Sequence, residues 1–275
     1  MDFKAIAMGL AFAFMWSSAF TSARIIVVDT PPIMALSFRF LISGLIAVGL
    51  ARFLGQNWRL TRGQWRATII LGLCKNAIYL GANFVARHTV EASLAAIIAS
   101  TMPLLVGLAS WLILRERLGA LGVAGLIAGM FGVMIIMGSR LSGGADPFAV
   151  MLCCIGALAL TLATLLVRGA TTGGNLLMVV GLQMLVGCAI LAVISAATET
   201  YLVNWSPKLI LAFAYTTLVP GLVATVVWFQ LVNRIGAIRA ATFHFLNPFF
   251  GVSIAALLLG ESIGALDFVG VAIIM

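Results

Sequence analysis

The chain has 275 residues, of which 63% are hydrophobic and 9% are charged, and it carries a formal net charge of +8. A soluble domain has about 45–50% apolar and about 25% charged residues, so too few helices here can have polar outer faces, and lipid must be the solvent for much of the surface. The basic residues occur singly or in small groups between apolar stretches. This is typical of membrane loops and excludes a basic nucleic-acid-binding surface.

Apolar stretches of about 20 residues, enough to cross a hydrocarbon core of about 30 Å, follow one another along the chain. We predict an all-α membrane protein with ten transmembrane helices near 5–28, 33–54, 65–86, 91–113, 119–138, 147–169, 175–197, 207–231, 237–259 and 264–275. The first stretch is long enough to span and lacks an Ala-x-Ala-like site, so no cleaved signal peptide is expected. The tenth stops at Met275, too short to span, so we expect a truncated last helix or a longer native chain.

Lysine and arginine are divided unequally between the two sides of this ten-span chain. The side of the N-terminus has Lys4, Arg52, Arg59, Arg62, Arg66, Arg115, Arg117, Arg168, Arg234 and Arg239. The opposite side has only Arg24, Arg87, Arg140 and Lys208, together with Asp29, Glu91, Asp146, Glu199, Glu261 and Asp267. Because Lys and Arg accumulate in cytoplasmic loops, we expect a protein of a bacterial-type inner (plasma) membrane with both termini in the cytoplasm.

The sequence matches itself without gaps at an offset of 145 residues. Ala92 matches Ala237, Pro103 matches Pro248, and the tripeptide 119–121 recurs at 264–266. We therefore predict two five-helix units, residues 1–140 and 147–275, within one membrane-embedded unit. Because five is odd, the second unit enters the membrane from the opposite side, which gives an inverted-topology repeat with a substrate site at the midplane, as in many secondary transporters. Duplication in another kind of membrane protein is the alternative.

Three short motifs carry a family resemblance. The first span contains the run 16–20, Trp-Ser-Ser-Ala-Phe, followed by Arg24, and the second has Pro32, Ala35 and Arg39-Phe40. Both halves have a proline in their fourth span, a glutamate at its end and a glycine three residues later. Essentially the whole chain thus resembles the EamA-type members of the drug/metabolite transporter superfamily, and it is similar to their aromatic amino acid exporters. The resemblance implies ten helices as a five-plus-five inverted repeat, and export of metabolites, amino acids or drugs.

Polar residues form one stripe on the third span. Lys75, Tyr79 and Asn83 recur at four-residue spacing, with Asn76 beside them, so they share a helix face. An ionisable group at the centre of a span costs about 2.5–3.5 kcal/mol and usually faces a cavity or the bundle interior. We predict that these four residues bind substrate in a cavity. Interhelical hydrogen bonds that hold the bundle together are the alternative.

At the same offset, this stripe corresponds in the eighth span to a Pro220-Gly221 break and to Trp228. Proline and glycine loosen a helix and leave carbonyls without partners, which is tolerated where they line a cavity or are buried in protein. We predict hinges at Pro220 and Gly221, and at Pro103 and Pro248, which remove helical hydrogen bonds in the fourth and ninth spans. Trp228 is expected to bind substrate.

Three further predicted site residues lie in the first and ninth spans. His244 and Asn247 share a face one turn apart. A histidine there either binds substrate and relays protons, or is a neutral imidazole bonded to a neighbouring helix. Trp16 is expected to form an aromatic cavity wall, with packing or interfacial anchoring as the alternative.

Arg39 and a run of glycines receive other interpretations. Arg39 sits about 10 Å into the second span, so we expect it to snorkel toward the headgroups or to form a structural ion pair. A stripe of small residues on the fifth span favours close packing against a neighbouring helix or protomer: Gly119, Gly122, Gly125, Gly129 and Gly132. We expect a monomer or weak homodimer whose partners are a small-molecule substrate and the lipid bilayer, and no nucleic acid.

These features favour an exporter that works by alternating access around a central cavity. Its favoured cargo is aromatic amino acids or related drug-like compounds. An intramembrane enzyme needs a nucleophile–base pair or a metal cluster, whereas His88 and His244 lie apart, no carboxylate sits inside a span, and the four cysteines lack metal-ligand spacing. We expect no catalytic residue, no metal and no cofactor. A passive channel or lipid scramblase stays open, and His244 alone could couple transport to protons, so uncoupled transport is an equal alternative.

Overall fold

The computed structural model describes residues 2–115, 146–170 and 174–260, with a few isolated positions between 119 and 131. This part of the chain is helical, and eight of its helices are long and apolar enough to cross a membrane. The predicted all-helical membrane class is therefore confirmed. The predicted fifth and tenth spans lie outside the described residues, apart from those isolated positions.

We number the eight helices in chain order, so that α1–α4 are the first four predicted spans and α5–α8 are the sixth to ninth. Four are α-helical throughout: α1 Phe3–Asp29, α2 Pro32–Phe53, α5 Pro147–Ala170 and α6 Leu176–Thr198. The other four change their winding: α3 Arg62–Leu71, Gly72–Leu80, Gly81–Ala86; α4 Ala92–Ala99, Met102–Leu114; α7 Pro207–Thr216, Thr217–Val223, Ala224–Ile235; α8 Ala237–Ala241, Thr242–Leu246, Asn247–Leu259. The middle segments of α3 and α7 are π-helical, and that of α8 is a 3-10 helix.

The first two segments of α3 and α7 start at positions that differ by the offset that the sequence predicts. The first segment of α3 corresponds residue for residue to that of α7, and both are capped at the equivalent Thr61 and Ser206, whose hydroxyls accept from the backbone N–H three residues on. The π segments start at the equivalent Gly72 and Thr217. The same two segment starts thus occur in α3 and α7, where the sequences hardly match. π-Helices are rare in proteins, and those that occur often lie at functional sites. Two of them that start at the same offset therefore point to this level of the bundle as a candidate site.

The four predicted hinge positions fall at these changes of winding, but not as predicted for Pro103 and Pro248. Both prolines occupy the first turn of the last segments of α4 and α8. There the missing N–H would have no helical partner in any case, so the prediction that they remove interior hydrogen bonds is wrong. Pro220 and Gly221 lie inside the π segment of α7. Movement at any of these residues stays a prediction.

Helices α2 and α6 pack antiparallel and cap each other at both ends. The Glu199 carboxylate, just beyond α6, accepts from the backbone N–H groups of Ile33 at 2.8 Å and Met34 at 2.7 Å, in the first turn of α2. The Gln56 side-chain oxygen, just beyond α2, accepts from the N–H of Met178 in the first turn of α6 at 3.0 Å. Helix N-termini have free N–H groups and favour acidic or polar oxygen acceptors. The two second helices of the halves therefore run in opposite directions.

A glycine contact lets α2 and α6 approach closely. A Cβ on Gly181 would lie 2.9 Å from the Gly44 carbonyl oxygen and 2.9 Å from the Val48 nitrogen, both backbone atoms that move only with the helix. We expect Gly181→Val to destabilise the protein by about 1–3 kcal/mol, the usual cost of overpacking. The matched control is Gly49→Val on the exposed face of α2, where nothing lies within 4 Å. Thermal unfolding of the purified variants measures this, and equal Tm values would contradict the close approach.

Each half contributes its first helix to the other half. Helix α1 packs against α7 and α8, and α5 packs against α3 and α4. Side chains from the inner face of α1 consequently meet residues from the end of the chain. The centre of the bundle is thus built by α1, α3, α7 and α8 together.

Candidate functional site

Five of the predicted site residues meet at the centre of the bundle. The central cluster consists of Trp16, Lys75, Tyr79, Trp228 and His244, all buried. The rings of Trp16 and Tyr79 stack with their centres 6.0 Å apart and their planes within 5°. The His244 ring stands edge-on to Trp16 at 5.8 Å and to Trp228 at 5.1 Å. Aromatic rings at these distances and angles attract one another, so four helices are joined by one aromatic contact network.

Phe12 completes this network although the sequence did not single it out. Its ring stacks on Trp228 at 4.6 Å and meets the edge of His244 at 5.2 Å. Phe12 lies one helical turn before Trp16 on α1, so the two share a face. The four-residue spacing was therefore the available signal, but apolar spacing of this kind is common on every membrane helix.

Lys75 is the charged member of the central cluster. Its ammonium donates to the Thr225 hydroxyl at 3.1 Å and lies 6.0 Å from the centre of the Trp16 ring and 5.7 Å from that of Phe229. A cation over an aromatic face gains electrostatic energy that offsets part of its desolvation. The hydrogen bond joins the π segment of α3 to Thr225, which lies just beyond the π segment of α7, so Lys75 connects the two halves at the centre.

Asn76 and Asn83 lie outside the central cluster. The Asn76 amide donates to the carbonyl and the side-chain oxygen of Gln183 on α6, at 2.7 and 3.1 Å, and this contact favours the packing interpretation for Asn76. The Asn83 amide donates to the Tyr79 carbonyl at 2.9 Å, and its oxygen accepts from Arg87 at 3.2 Å. The predicted polar stripe therefore divides into a helix contact, a central part and an arginine contact.

Asn247 acts on the cluster through His244. Its amide nitrogen faces His244 Nδ1 at 2.9 Å, and its oxygen accepts from the Ser17 hydroxyl at 3.1 Å. A hydroxyl that donates to the amide oxygen fixes the amide so that its N–H points at Nδ1. Nδ1 then accepts, and the ring is the neutral tautomer with hydrogen on Nε2. The geometry supports the alternative in which His244 is a neutral, hydrogen-bonded imidazole.

Two arginines lie on the other side of the Trp16–Tyr79 pair. A cavity of about 20 Å³, here named the arginine cavity, is lined by Trp16, Phe20, Arg39, Tyr79, Arg87 and Pro220, among others. This volume holds about one water molecule. Since Trp16 and Tyr79 belong to both sites, their stacked rings form the wall between the arginine cavity and Lys75 and His244.

Arg39 is buried in the arginine cavity, and its predicted snorkelling is wrong. The side chain is 3% exposed, and its Nε and Nη1 have no hydrogen-bond partner among the described residues. Its guanidinium lies over the rings of Phe40 and Phe84, at 5.6 and 6.0 Å. A Cβ on Gly221 would lie 3.2 Å from Nε and 2.8 Å from the Thr216 carbonyl oxygen, so the α7 π segment approaches the guanidinium closely at a glycine.

Arg87 is also buried, although the sequence assigned it to an outer loop. It directly follows the helical segment Gly81–Ala86, and its guanidinium lies 4.8 Å from the centre of the Phe20 ring. The hydrogen bond to Asn83 holds one end of the guanidinium. Its place at the end of a span, directly before His88 and Thr89, gave no signal that the side chain points inward.

Known proteins match this chain over nearly all of its length. The EamA-like transporter family matches residues 3–138 and again residues 147–275. Uncharacterized transporter YvbV of Bacillus subtilis (strain 168) is 25% identical over 254 residues, which are 92% of this chain and 83% of the relative. Protein PecM of Dickeya dadantii (strain 3937) is 22% identical over 263 residues, 94% of this chain and 86% of the relative.

Two further matches extend this comparison. A chloroplastic WAT1-related protein of Arabidopsis thaliana is 22% identical over 272 residues, which are 94% of this chain and 65% of the relative. A solved crystal structure superposes with a TM-score of 0.76 at 19% identity, over 100% of this chain and 94% of that one. This last likeness shows that the two chains share a fold.

Proposed function

Because the chain belongs to the EamA-like transporter family, we propose that it is a secondary transporter that exports small metabolites by alternating access. The observation that carries the proposal is the central cluster. Residues from both halves, Trp16 and Lys75 from the first and His244 from the second, meet at a buried centre. Sites of secondary transporters lie where two repeats meet, near non-helical or loosened segments, and the π segments of α3 and α7 flank this centre.

The proposed architecture is a ten-helix inverted repeat of two units, residues 1–140 and 147–275. The antiparallel pairing of α2 with α6 and the equivalent starts of the first two segments of α3 and α7 support it. The family matches the two halves separately, which also fits two copies of one unit. With the loop charges described above, this architecture puts both termini in the cytoplasm of a cell with a bacterial-type inner membrane. Transport outward then starts from the side of the termini.

The proposed cargo is an aromatic amino acid or a related compound. The rings of the central cluster and of Phe12 form stacked and edge-on pairs. The ring of an aromatic cargo can take the place of one protein ring in such a pair at little cost in free energy. The rings contact one another and fill the centre of the bundle. A carrier that works by alternating access requires one state in which its centre is closed in this way. A neutral His244 bonded to Asn247 provides no free proton acceptor at Nδ1, so we propose that transport is not coupled to protons.

Counterflow in proteoliposomes tests this function. Vesicles preloaded with unlabelled L-phenylalanine are expected to take up labelled L-phenylalanine faster than empty vesicles, with saturation, and a pH gradient is expected to leave the rate unchanged. A panel of aliphatic amino acids, nucleobases and cationic drugs then defines the cargo. Uptake that neither saturates nor responds to preloading would contradict a carrier and indicate a passive channel. A rate that follows the pH gradient would contradict the uncoupled mechanism alone.

A further inference from the structure

The buried core of the described bundle has an excess of positive charge. Arg39, Lys75 and Arg87 are each at most 3% exposed, whereas every aspartate and glutamate among the described residues is at least partly exposed. A guanidinium remains protonated in proteins. Burying a charge costs free energy unless an opposite charge or good hydrogen bonds offset it. Within the described residues no carboxylate is buried beside Arg39 or Lys75 to do so.

Resting on the proposed function, we propose that the arginine cavity is an anion subsite that binds the carboxylate of the cargo. Arg39 supplies Nε and Nη1, two donors without a hydrogen-bond partner among the described residues. Each of them forms, with Nη2, a pair of parallel donors in the guanidinium plane that matches the two oxygens of a carboxylate. Arg87 lines the same cavity as Arg39, and Gly221 of α7 lies close to the Arg39 guanidinium.

The wall of the arginine cavity defines the rest of the cargo. Trp16 and Tyr79 line the cavity with their stacked rings, so an apolar or aromatic remainder beside the carboxylate packs against them. The present volume of about 20 Å³ accommodates water and not a carboxylate-bearing molecule. The cargo therefore binds when the wall opens. Organic carboxylates, amino acids included, fit this subsite, whereas amines without a carboxylate and uncharged nucleobases lack the group that it binds.

The first test needs no ligand. Arg39→Met in the purified full chain is expected to melt no lower than the wild type, because it removes a buried cation that lacks compensation. Arg52→Met is the matched control, since Arg52 lies on the same helix and is exposed. A melting temperature several degrees lower for Arg39→Met than for Arg52→Met would show that Arg39 mainly holds the fold, and it would overturn the proposal.

The second test compares ligands that differ only in charge. L-Phenylalanine and 3-phenylpropionate keep the carboxylate, whereas phenethylamine lacks it, and L-leucine, 4-methylpentanoate and isopentylamine form an aliphatic set. The carboxylates are expected to raise the Tm of the wild type and of Arg52→Met, and Arg39→Met is expected to weaken their binding by about tenfold or more, as for loss of a charge-assisted bidentate pair. Equal shifts with the amines, or no shift with any carboxylate, would overturn the proposal.

Two further arms separate the possible explanations. The melts are repeated in phosphatidylcholine with and without phosphatidylglycerol, and a carboxylate response that the anionic lipid abolishes would identify a lipid headgroup as the anion instead of the cargo. Carboxylate binding that depends on Arg39 without any counterflow would contradict the transporter function and leave the subsite standing. Saturable counterflow of an amine at the same rate in Arg39→Met and in the wild type would support the transporter function and contradict the carboxylate subsite.

Discussion

Lys75→Met is expected to lower saturable counterflow by about tenfold or more, which corresponds to about 1.4 kcal/mol, without lowering the Tm. Lys75 carries a charge into the centre of the bundle, where its ammonium has the Thr225 hydroxyl and two aromatic faces around it. Methionine keeps the length of the side chain and removes the desolvation cost of the charge. A charged residue that costs this desolvation free energy is expected to bind cargo and not to stabilise the fold.

Thr225→Val is the control for Lys75→Met. It removes the hydroxyl that accepts from Lys75 and leaves the charge in place. If the Lys75–Thr225 hydrogen bond mainly holds α3 against α7, both substitutions lower the Tm and both reduce transport only as far as folding is lost. That outcome, measured by thermal unfolding beside counterflow, would contradict a role of Lys75 in transport and support the packing interpretation.

Trp16→Ala is expected to abolish counterflow of aromatic cargo and to destabilise the protein by about 3–5 kcal/mol, the usual cost of truncating a buried tryptophan. The side chain is 6% exposed and touches both Tyr79 and His244. Its loss joins the arginine cavity to the central cluster and removes the wall against which an aromatic cargo packs. Counterflow per folded molecule and thermal unfolding measure the two effects separately.

Two further variants serve as controls for Trp16→Ala. Trp111→Ala removes a tryptophan that is 53% exposed on α4 and is expected to change neither transport nor Tm appreciably. Trp16→Phe keeps a ring on the wall and is expected to retain part of the counterflow at a smaller cost in stability. Full transport by folded Trp16→Ala would refute the assignment of Trp16 to the cargo site.

The sequence predicted the fold well because the relevant signals are averages over long segments. Hydropathy summed over about 20 residues locates a span, and all eight spans in the described residues agree with their predicted positions within a few residues. Changes of winding are different, because they depend on one or two hydrogen bonds. Pro220 gave a hint of the π segment in α7, but nothing in residues 72–80 indicates the equivalent segment in α3 except its position in the repeat.

The site was predicted in part for a related reason. Rarity of polar groups in a span identifies Lys75 and His244 as residues of the bundle interior, and the structure brings them together. The rarity of a polar group does not predict which neighbour it contacts. The sequence therefore did not distinguish Asn76, which contacts Gln183, from Lys75, which contacts Thr225. Arg39 was misplaced because its depth allowed an outward path, and its inward neighbours Phe40, Phe84 and Gly221 lie near it only in three dimensions or on the same helix.

The paired π segments also bear on the order in which this chain acquired its features. Residues 72–80 and 217–223 start at equivalent positions and have almost no residues in common. Under the proposed two-unit architecture, a wide turn that starts at the same place in both units is a feature of one ancestral five-helix unit. Such a turn already lacks the regular hydrogen bonds that a proline would break. Under that architecture, Pro220 entered a turn that was already wide, and the two units diverged in side chains more than in the place where the turn starts.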